Sequence, residues 1–343
     1  MKDGKFLTMA IESSCDETAI AVVADGRNVL SNVISSQIDI FKNYGGVVPE
    51  LASRKHVEAI AGLTDQALRD AGLTRKDIDA VAVTYAPGLI GAVLVGVSFA
   101  KSAAYALGVP LIPVHHIRGH IAANYLAYPD LEPPFLCLVV SGGHTMIVNV
   151  LDYTKMEILG TSLDDAAGEC FDKVARVLGM PYPGGAALDK MAQTGNEHTY
   201  SLPRSKPGEN PYNMSFSGLK TAALNLIHHA EQLGEEIRIP DLCAAFSAAV
   251  SDTLVPRVEL AIRETGCKKI AVAGGVAANS RIRRGILAAA EKLGAQVYMP
   301  PLKLCGDNGA MIGAQAYYEY LAGNVADMSL NAYATKSILG EAL

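Results

Sequence analysis

The sequence predicts an α/β protein built as two lobes of related design. Three observations carry that prediction. The chain has 343 residues, too long for one compact core. Residues 5–24 and 135–150 share one layout of strand, polar tip and strand, roughly 130 residues apart. After each, apolar runs of strand length alternate with helical patterns, as in α/β lobes.

The first hairpin reads "KFLTMAIESSCDETAIAVVA", an apolar strand, an acidic and hydroxyl-rich tip at Glu12–Thr18, and a second apolar strand. Helical patterns follow at Val57–Ala71 and Ala92–Ala106, with short strands at Ala80–Thr84 and Pro110–Val114. The second hairpin reads "FLCLVVSGGHTMIVNV", with Ser141-Gly142-Gly143-His144-Thr145 at its tip. Residues 161–212, rich in Gly, Pro and Asn, read as less regular. Helices are predicted at Ser217–Leu233 and Ile239–Thr265, then a strand, a glycine turn and a helix over "KKIAVAGGVAANSRIRRGILAAAEKLG". A strand at "AQVYMP" leads through "PLKLCGDNGA" into a last helix, "GAMIGAQAYYEYLAG". From Ala326 no pattern is clear. The expected division is 1–131 as lobe I, with 308–343 packing back onto it, and 132–307 as lobe II.

Composition narrows the class. Half the residues are hydrophobic and 19% are charged, as in a packed globular protein. Every apolar run is interrupted before 18 residues, so no membrane span is expected. The N-terminus turns acidic without an apolar stretch and does not read as a signal peptide. Six scattered cysteines form no CxxC pair and read as thiols of a reducing cytoplasm. The net charge of −6 does not advertise nucleic-acid binding. The basic clusters "SRKH", "CKK" and "RIRR" read as solvated faces.

Five segments carry candidate chemistry. The Glu12–Thr18 tip holds three carboxylates at the edge of a buried sheet, where they could orient a cation or serve as a base; a surface turn is the plain alternative. "SGGH" could bring backbone N–H groups to an anion, or be an ordinary hairpin turn. "AGGVAANSRI" lies between strand and helix, suited to phosphate or ribose, yet it is neither a P-loop nor GxGxxG, and Asn279 could be a helix N-cap. In "VHHIRGH", His116 and His120 stand four apart, so a helix would put both on one face, as metal ligands or as a structural pair. The protease motif H-E-x-x-H needs Glu after the first histidine, and Ile117 stands there, which disfavours a metalloendopeptidase. Asp307, read locally, is an N-cap aspartate; it is also the best candidate for an oxygen ligand completing a His-His-Asp set.

In order along the chain come "ESSCDETA", "YGGVVPELASRKH", "APGLIGAVLVG", "HHIRGH", "SGGHT", "GECFDKVARVLG", "YPGGAALDK", "SFSGLKTA", "AGGVAANSRIR" and "GDNGAMIG". Together they resemble the tRNA N(6)-adenosine threonylcarbamoyltransferases, once called glycoproteases, over about residues 10–313, and in the bacterial form. The resemblance implies the actin/sugar-kinase/Hsp70-like (ASKHA) fold, with a ligand cleft between the lobes. It implies His116, His120 and Asp307 as ligands of one divalent metal ion, iron or zinc. Val139, Val140, Ser141, Gly142, Gly143, Asp172, Gly185, Asp189 and Asn279 become the substrate-binding positions. The family commonly has an acidic residue where this chain has Arg118.

The reaction implied is transfer of a threonylcarbamoyl group from threonylcarbamoyl-adenylate to N6 of adenosine 37 in tRNAs reading ANN codons, with release of AMP. Asp16 or Glu17 is expected to take the proton of the amine or to orient it. Adenosine 37 lies in the single-stranded anticodon loop, where a base can be splayed into a pocket. Lys55, Lys268 and Arg283 are expected phosphate contacts. The resemblance also implies a heteromeric complex with an inactive same-fold paralogue and a small ATPase. No P-loop nucleotide, flavin or NAD is expected, and no membrane; the enzyme would work in the cytoplasm. The rival from another class is a regulatory ATPase of the same fold that leaves tRNA unmodified.

Overall fold

The structure is a computed structural model that describes residues 2, 4–206 and 208–339. The chain divides into two compact units: Met1–Pro133 with Leu151–Met156 and Pro300–Leu343, and Pro134–Val150 with Glu157–Met299.

The first unit is built on β1 (Leu7–Glu12), β2 (Glu17–Ala24), β3 (Asn28–Ser36), β4 (Ala80–Ala86) and β5 (Leu111–His115), in the order β3-β2-β1-β4-β5. β1 pairs antiparallel with β2 and parallel with β4, and β4 pairs parallel with β5. Its helices are α1 (Ile38–Phe41), α2 (Pro49–Asp70), α3 (Ile90–Leu107), α4 (His116–Ala127) and the last helix, α10 (Gly309–Leu321). Every residue of β1 and β4 is buried, because helices cover both faces of the sheet. Met9, Ile11, Val81 and Val83 point one way, into a core shared with Ile60 and Leu68 of α2 and Val93 and Val97 of α3. Ala10, Ala80 and Ala82 point the other way, with Ile112 and Val114, toward Ala123 of α4 and Met311, Ile312 and Ala316 of α10. Small residues on that face let α4 and α10 lie close to the strands. Each buried Val, Ile or Met contributes about 1.5–3 kcal/mol.

α3 is an apolar helix of mean hydropathy 1.6, long enough by length and composition to cross a membrane. Gly, Ser and Lys101 interrupt its apolar run in the sequence. Its Ala92, Val93, Gly96, Val97, Ala100 and Ala104 are buried on the face toward β4, while Ile90, Leu94 and Tyr105 are exposed.

The second unit repeats the design. Its strands are β6 (Phe135–Val140), β7 (Thr145–Val150), β8 (Met156–Thr161), β9 (Lys269–Ala273) and β10 (Gln296–Tyr298), in the order β10-β9-β6-β7-β8. β6 pairs antiparallel with β7 and parallel with β9, and β9 pairs parallel with β10, so β6 stands where β1 stands in the first sheet. The helices are α5 (Ala167–Val177), α6 (Gly184–Ala192), α7 (Ser217–Leu233), α8 (Ile239–Thr265) and α9 (Ser280–Leu293). The duplication read from the two hairpins is therefore a duplication of whole sheets.

One expectation needs correction. Residues 161–212 read as irregular, yet α5 and α6 lie there. α5 buries Ala167, Cys170, Phe171, Val174 and Ala175, a stripe at helical spacing that the surrounding glycines and charges obscured. α6 opens on two glycines, which disfavour helix. Packing overrides that preference: a Cβ at Gly184 would meet Ala175 Cβ at 2.4 Å.

Candidate functional site

In the first unit the β1–β2 hairpin brings its tip to the C-terminal ends of β1 and β4. Ser14 O accepts from Leu89 N at 2.8 Å, and Ser13 Oγ donates to Ala92 O at 3.0 Å. That closeness needs glycine: a Cβ at Gly88 would meet Ser14 O at 2.5 Å, and one at Gly96 would meet Ser13 Oγ at 2.4 Å. The "APGLIGAVLVG" motif thus seats α3 against the tip.

His56 clasps the tip from α2. Its Nε2 donates to Cys15 O at 2.9 Å, and its Nδ1 accepts from Thr18 Oγ1 at 2.7 Å. Burial holds its pKa below the usual histidine range, so the ring is the neutral tautomer with the proton on Nε2. Arg54 and Lys55 of the same "SRKH" cluster pair with Glu50 and Glu58 at the surface, whereas His56 is fully buried. The signal was present: Ala52, His56, Ile60, Thr64 and Ala67 form the buried stripe of α2.

"HIRGHIAANYLA" is helical, as α4, and both histidines share a face, with ring centroids 4.6 Å apart. His120 Nε2 lies 3.1 Å and His116 Nε2 3.6 Å from Asp307 Oδ1. One donor atom from each of the three residues falls within 4.8 Å of the others. That is close to what one ion with bonds of about 2.0–2.2 Å requires, so the three form a group able to hold a metal ion.

Asp307 is not the N-cap of α10. Asn308 takes that position, its Oδ1 accepting from Met311 N at 2.9 Å. The cap one residue later leaves the Asp307 carboxylate facing the histidines.

Behind His116 stands Glu12. Its fully buried carboxylate lies 3.0 Å from His116 Nδ1 and accepts from Thr84 Oγ1 at 2.6 Å and Ser14 N at 2.5 Å. A proton held on Nδ1 by Glu12 turns Nε2 to Asp307, the backing usual for a metal-binding histidine. Burial opposes charge on His116, but Asp307 and Glu12 outweigh it and push its pKa up to about 9. His120 Nδ1 is buried without a hydrogen-bond partner, so Asp307 and packing alone orient that ring.

Asp16 is 6% exposed. Burial, then Asp16 and Asp307, push Glu17 up to about 9, while Ser36 Oγ donates to its Oε1 at 3.0 Å. Near neutral pH Glu17 is thus protonated. Burial and Asp16 raise the Cys15 thiol far above its usual range, so it offers no thiolate.

The second unit gathers the other expected residues around the β6–β7 tip. Ser141 N donates to His144 O at 2.8 Å, and His144 N to Ser141 Oγ at 3.1 Å. A Cβ at Gly168 would meet Ser141 O at 2.4 Å, and one at Gly274 (φ +92°) would meet Val140 O at 2.5 Å. α5 and the "AGGVAAN" turn therefore both press on this hairpin. Gly142 and Gly143 are exposed, with nothing within 4 Å of an added Cβ, and neither is left-handed. Val139 and Val140 are fully buried; Val139 is paired with Met146 and with Ala273. Asp172 Oδ1 accepts from Gly185 N at 3.0 Å. Asp189 Oδ1 accepts from Ser280 Oγ at 2.8 Å, and Asn279 caps α9 by accepting from Arg281 N and Ile282 N. Those last two carboxyl and amide groups meet at the start of α9. Lys268 donates to Leu293 O and Arg283 to Ala277 O.

Arg118, unexplained by sequence, is buried on α4; it donates to Ile338 O at 2.9 Å and pairs with Glu319 at 2.9 Å.

Solved structures share this architecture. Full-length HypF, in a phosphate- and nucleotide-bound form, superposes with a TM-score of 0.61 at 17% identity, over 92% of this chain and 46% of that one. Component A of the Acidaminococcus fermentans (R)-2-hydroxyglutaryl-CoA dehydratase gives 0.54 at 15% identity, over 92% and 99%. The class is the two-lobed α/β fold of actin, sugar kinases and Hsp70.

Within that class the sequence is specific. The family model for tRNA N6-adenosine threonylcarbamoyltransferase matches residues 28–314. A tRNA N6-adenosine threonylcarbamoyltransferase of Moorella thermoacetica is 56% identical over 324 residues, covering 94% of this chain and 95% of that protein. One from Clostridium perfringens is 55% identical over 328 residues, covering 96% and 97%. The chain belongs to the tRNA N6-adenosine threonylcarbamoyltransferase family, transferases that place a threonylcarbamoyl group on adenosine in tRNA.

Proposed function

We propose that the enzyme takes the threonylcarbamoyl group from threonylcarbamoyl-adenylate and delivers it to N6 of adenosine 37 in the anticodon loop of tRNAs reading ANN codons, releasing AMP. The observation that carries this reading is the convergence of His116, His120 and Asp307 beside the acidic tip. These three residues would hold one divalent ion, iron or zinc. Both suit a set of two imidazoles and a carboxylate. When bound there, the ion supplies Lewis-acid polarisation of the carbonyl under attack.

The chain's own groups do the rest. Glu12 fixes the His116 tautomer through Nδ1. His56 and Leu89 hold the tip by the carbonyls of Cys15 and Ser14. An exocyclic adenine amine is a poor nucleophile, so its alignment and the loss of its proton govern the rate. Asp16, 6% exposed at the tip, is the base in this reading, and Glu17, whose carboxyl is raised by burial, Asp16 and Asp307, orients the amine beside it. In the second unit, Ser141, Gly142 and Gly143 would receive the donor, with Asp172, Gly185, Asp189 and Asn279. Neither packing nor backbone conformation requires glycine at 142 or 143, which supports a ligand as the reason for them. Val139 and Val140 would shape this tip from the core. The enzyme would act in the cytoplasm, in a complex with an inactive same-fold paralogue and a small ATPase.

The test is a transfer assay with threonylcarbamoyl-adenylate, tRNA and those partners, following AMP and the modified nucleoside. His116→Ala, Asp307→Ala and Asp16→Asn should each abolish or nearly abolish transfer. Full activity of His116→Ala and Asp307→Ala would remove the metal from the reaction. Full activity of Asp16→Asn would move the base elsewhere.

A further inference from the structure

The chain from Leu330 to Leu339 has neither helix nor strand, yet it is tied down along its length. The carbonyls of Ala334, Lys336 and Ile338 accept from Gly88 N at 3.2 Å, His115 Nε2 at 3.0 Å and Arg118 Nε at 2.9 Å. These are alternate residues of a segment that bends at Ala334–Thr335 and turns at Ile338–Leu339. Tyr333 N donates to Tyr85 O at 2.9 Å, and Lys336 Nζ lies over the rings of Tyr85 and Tyr333 at 5.3 and 4.7 Å. Leu330, Ala332 and Ile338 are buried.

The partners of this segment are the elements that carry the site. Gly88 adjoins Leu89, whose N–H holds Ser14 O. His115 is the N-cap of α4, its Nδ1 accepting from Ile117 N at 3.3 Å. His116 is the first residue of the same helix. The first turn of a helix lacks intrahelical partners for its N–H groups and frays most readily. A ligand placed there needs fixing from outside. Arg118, two residues on, supplies a second tie, to Ile338 O and to the buried Glu319 of α10, the helix that Asp307 precedes.

We propose that Tyr333–Ile338 is a positioning strap for the metal-site histidines, acting through His115 and Arg118. The strap reads the start of α4 from behind and holds His116 Nε2 on line with Asp307. It also accounts for Arg118: a buried cation at this position anchors the strap's end and bridges α4 to α10. The proposal rests on the metal reading of His116, His120 and Asp307.

Zinc ion titrated alone into the full chain tests it, with the visible spectrum of the cobalt-loaded protein as a second readout of ligand geometry. His115→Ala and Arg118→Met should each weaken zinc binding about tenfold or more and shift the cobalt bands. His115→Gln, which keeps a donor for Lys336 O, and His115→Asn, which keeps an acceptor for Ile117 N, should each recover part of the affinity. If these variants bind zinc like the wild type with an unchanged cobalt spectrum while His116→Ala does not bind, the strap has no positioning role. If His116→Ala itself binds zinc like the wild type, the metal reading falls and the strap with it. Should Arg118→Met fail to fold, the two smaller changes at His115 decide the matter.

Discussion

Glu12 and His116 face one another 3.0 Å apart, carboxylate to Nδ1, with Glu12 wholly buried. Burial alone would raise the Glu12 pKa, but His116 outweighs it and holds the carboxyl below its usual range. A buried carboxylate kept charged against one ring nitrogen makes the other nitrogen a better and better-aimed ligand. Glu12→Gln keeps the shape and removes the charge. It should weaken zinc binding about 10–100-fold in a chelator-competition titration. Glu12→Ala also strands Thr84 Oγ1 and Ser14 N, and should cost about 3–5 kcal/mol of stability in urea unfolding.

Glu17 gives the site a pH signature. Its folded pKa, up to about 9, lies above the ordinary carboxylate range. A raised pKa means the folded state prefers the protonated form, so this stability is present in acid and lost as pH rises toward 9. Glu17→Gln keeps a neutral side chain at every pH. In chelator-treated protein the variant should match the wild type near pH 4 and exceed it by about 1–3 kcal/mol near pH 9. The comparison is of urea midpoints across pH. Equal midpoints at both ends would mean that Glu17 ionises freely. A cation at Asp307 should shrink the difference, since Asp307 is one of the charges that raises Glu17.

Much of this was legible in the residues. The two apolar hairpins with polar tips announced the duplicated sheets, because strands covered on both faces read as continuous apolar runs. His116 and His120 at helical spacing announced a shared face. What failed depended on contacts distant in sequence. Asp307, the candidate oxygen ligand, also read locally as a cap, because Asp and Asn cap equally well, and only the fold shows Asn308 in that position. α6 starts on glycines that packing against Ala175 demands. β3 has an exposed, irregular burial pattern without clean alternation. The strap has no periodicity at all, since its partners are Gly88, His115 and Arg118.

Arg27 is a structural clamp. Its guanidinium donates to the carbonyls of Tyr125, Tyr128, Pro129 and Leu131 and to the hydroxyls of Tyr153 and Tyr318. It also stacks 5.0 Å from the Tyr125 ring centroid, with Tyr153 and Tyr318 within 5.8 Å. Arg27→Ala should destabilise the protein by about 2–4 kcal/mol, seen as a lower thermal midpoint. Arg27→Lys should recover little, because an ammonium cannot span the fork of acceptors. Transfer per folded molecule should stay near the wild-type value.

His56 tests whether the acidic tip must be held in place. It touches no expected ligand atom; it grips the Cys15 carbonyl and the Thr18 hydroxyl that flank Asp16 and Glu17. Loss of this grip should let the tip shift without disturbing His116, His120 or Asp307. His56→Ala should therefore bind zinc with near-wild-type affinity while its transfer rate falls about a hundredfold, the scale of an ångström of misplacement. His56→Gln, whose amide can donate to Cys15 O as Nε2 does, should recover part of that rate. A parallel fall in zinc affinity and rate would mean that His56 supports the unit as a whole. A fall in kcat alone, with KM for the donor unchanged, places its contribution at the alignment of Asp16 and Glu17.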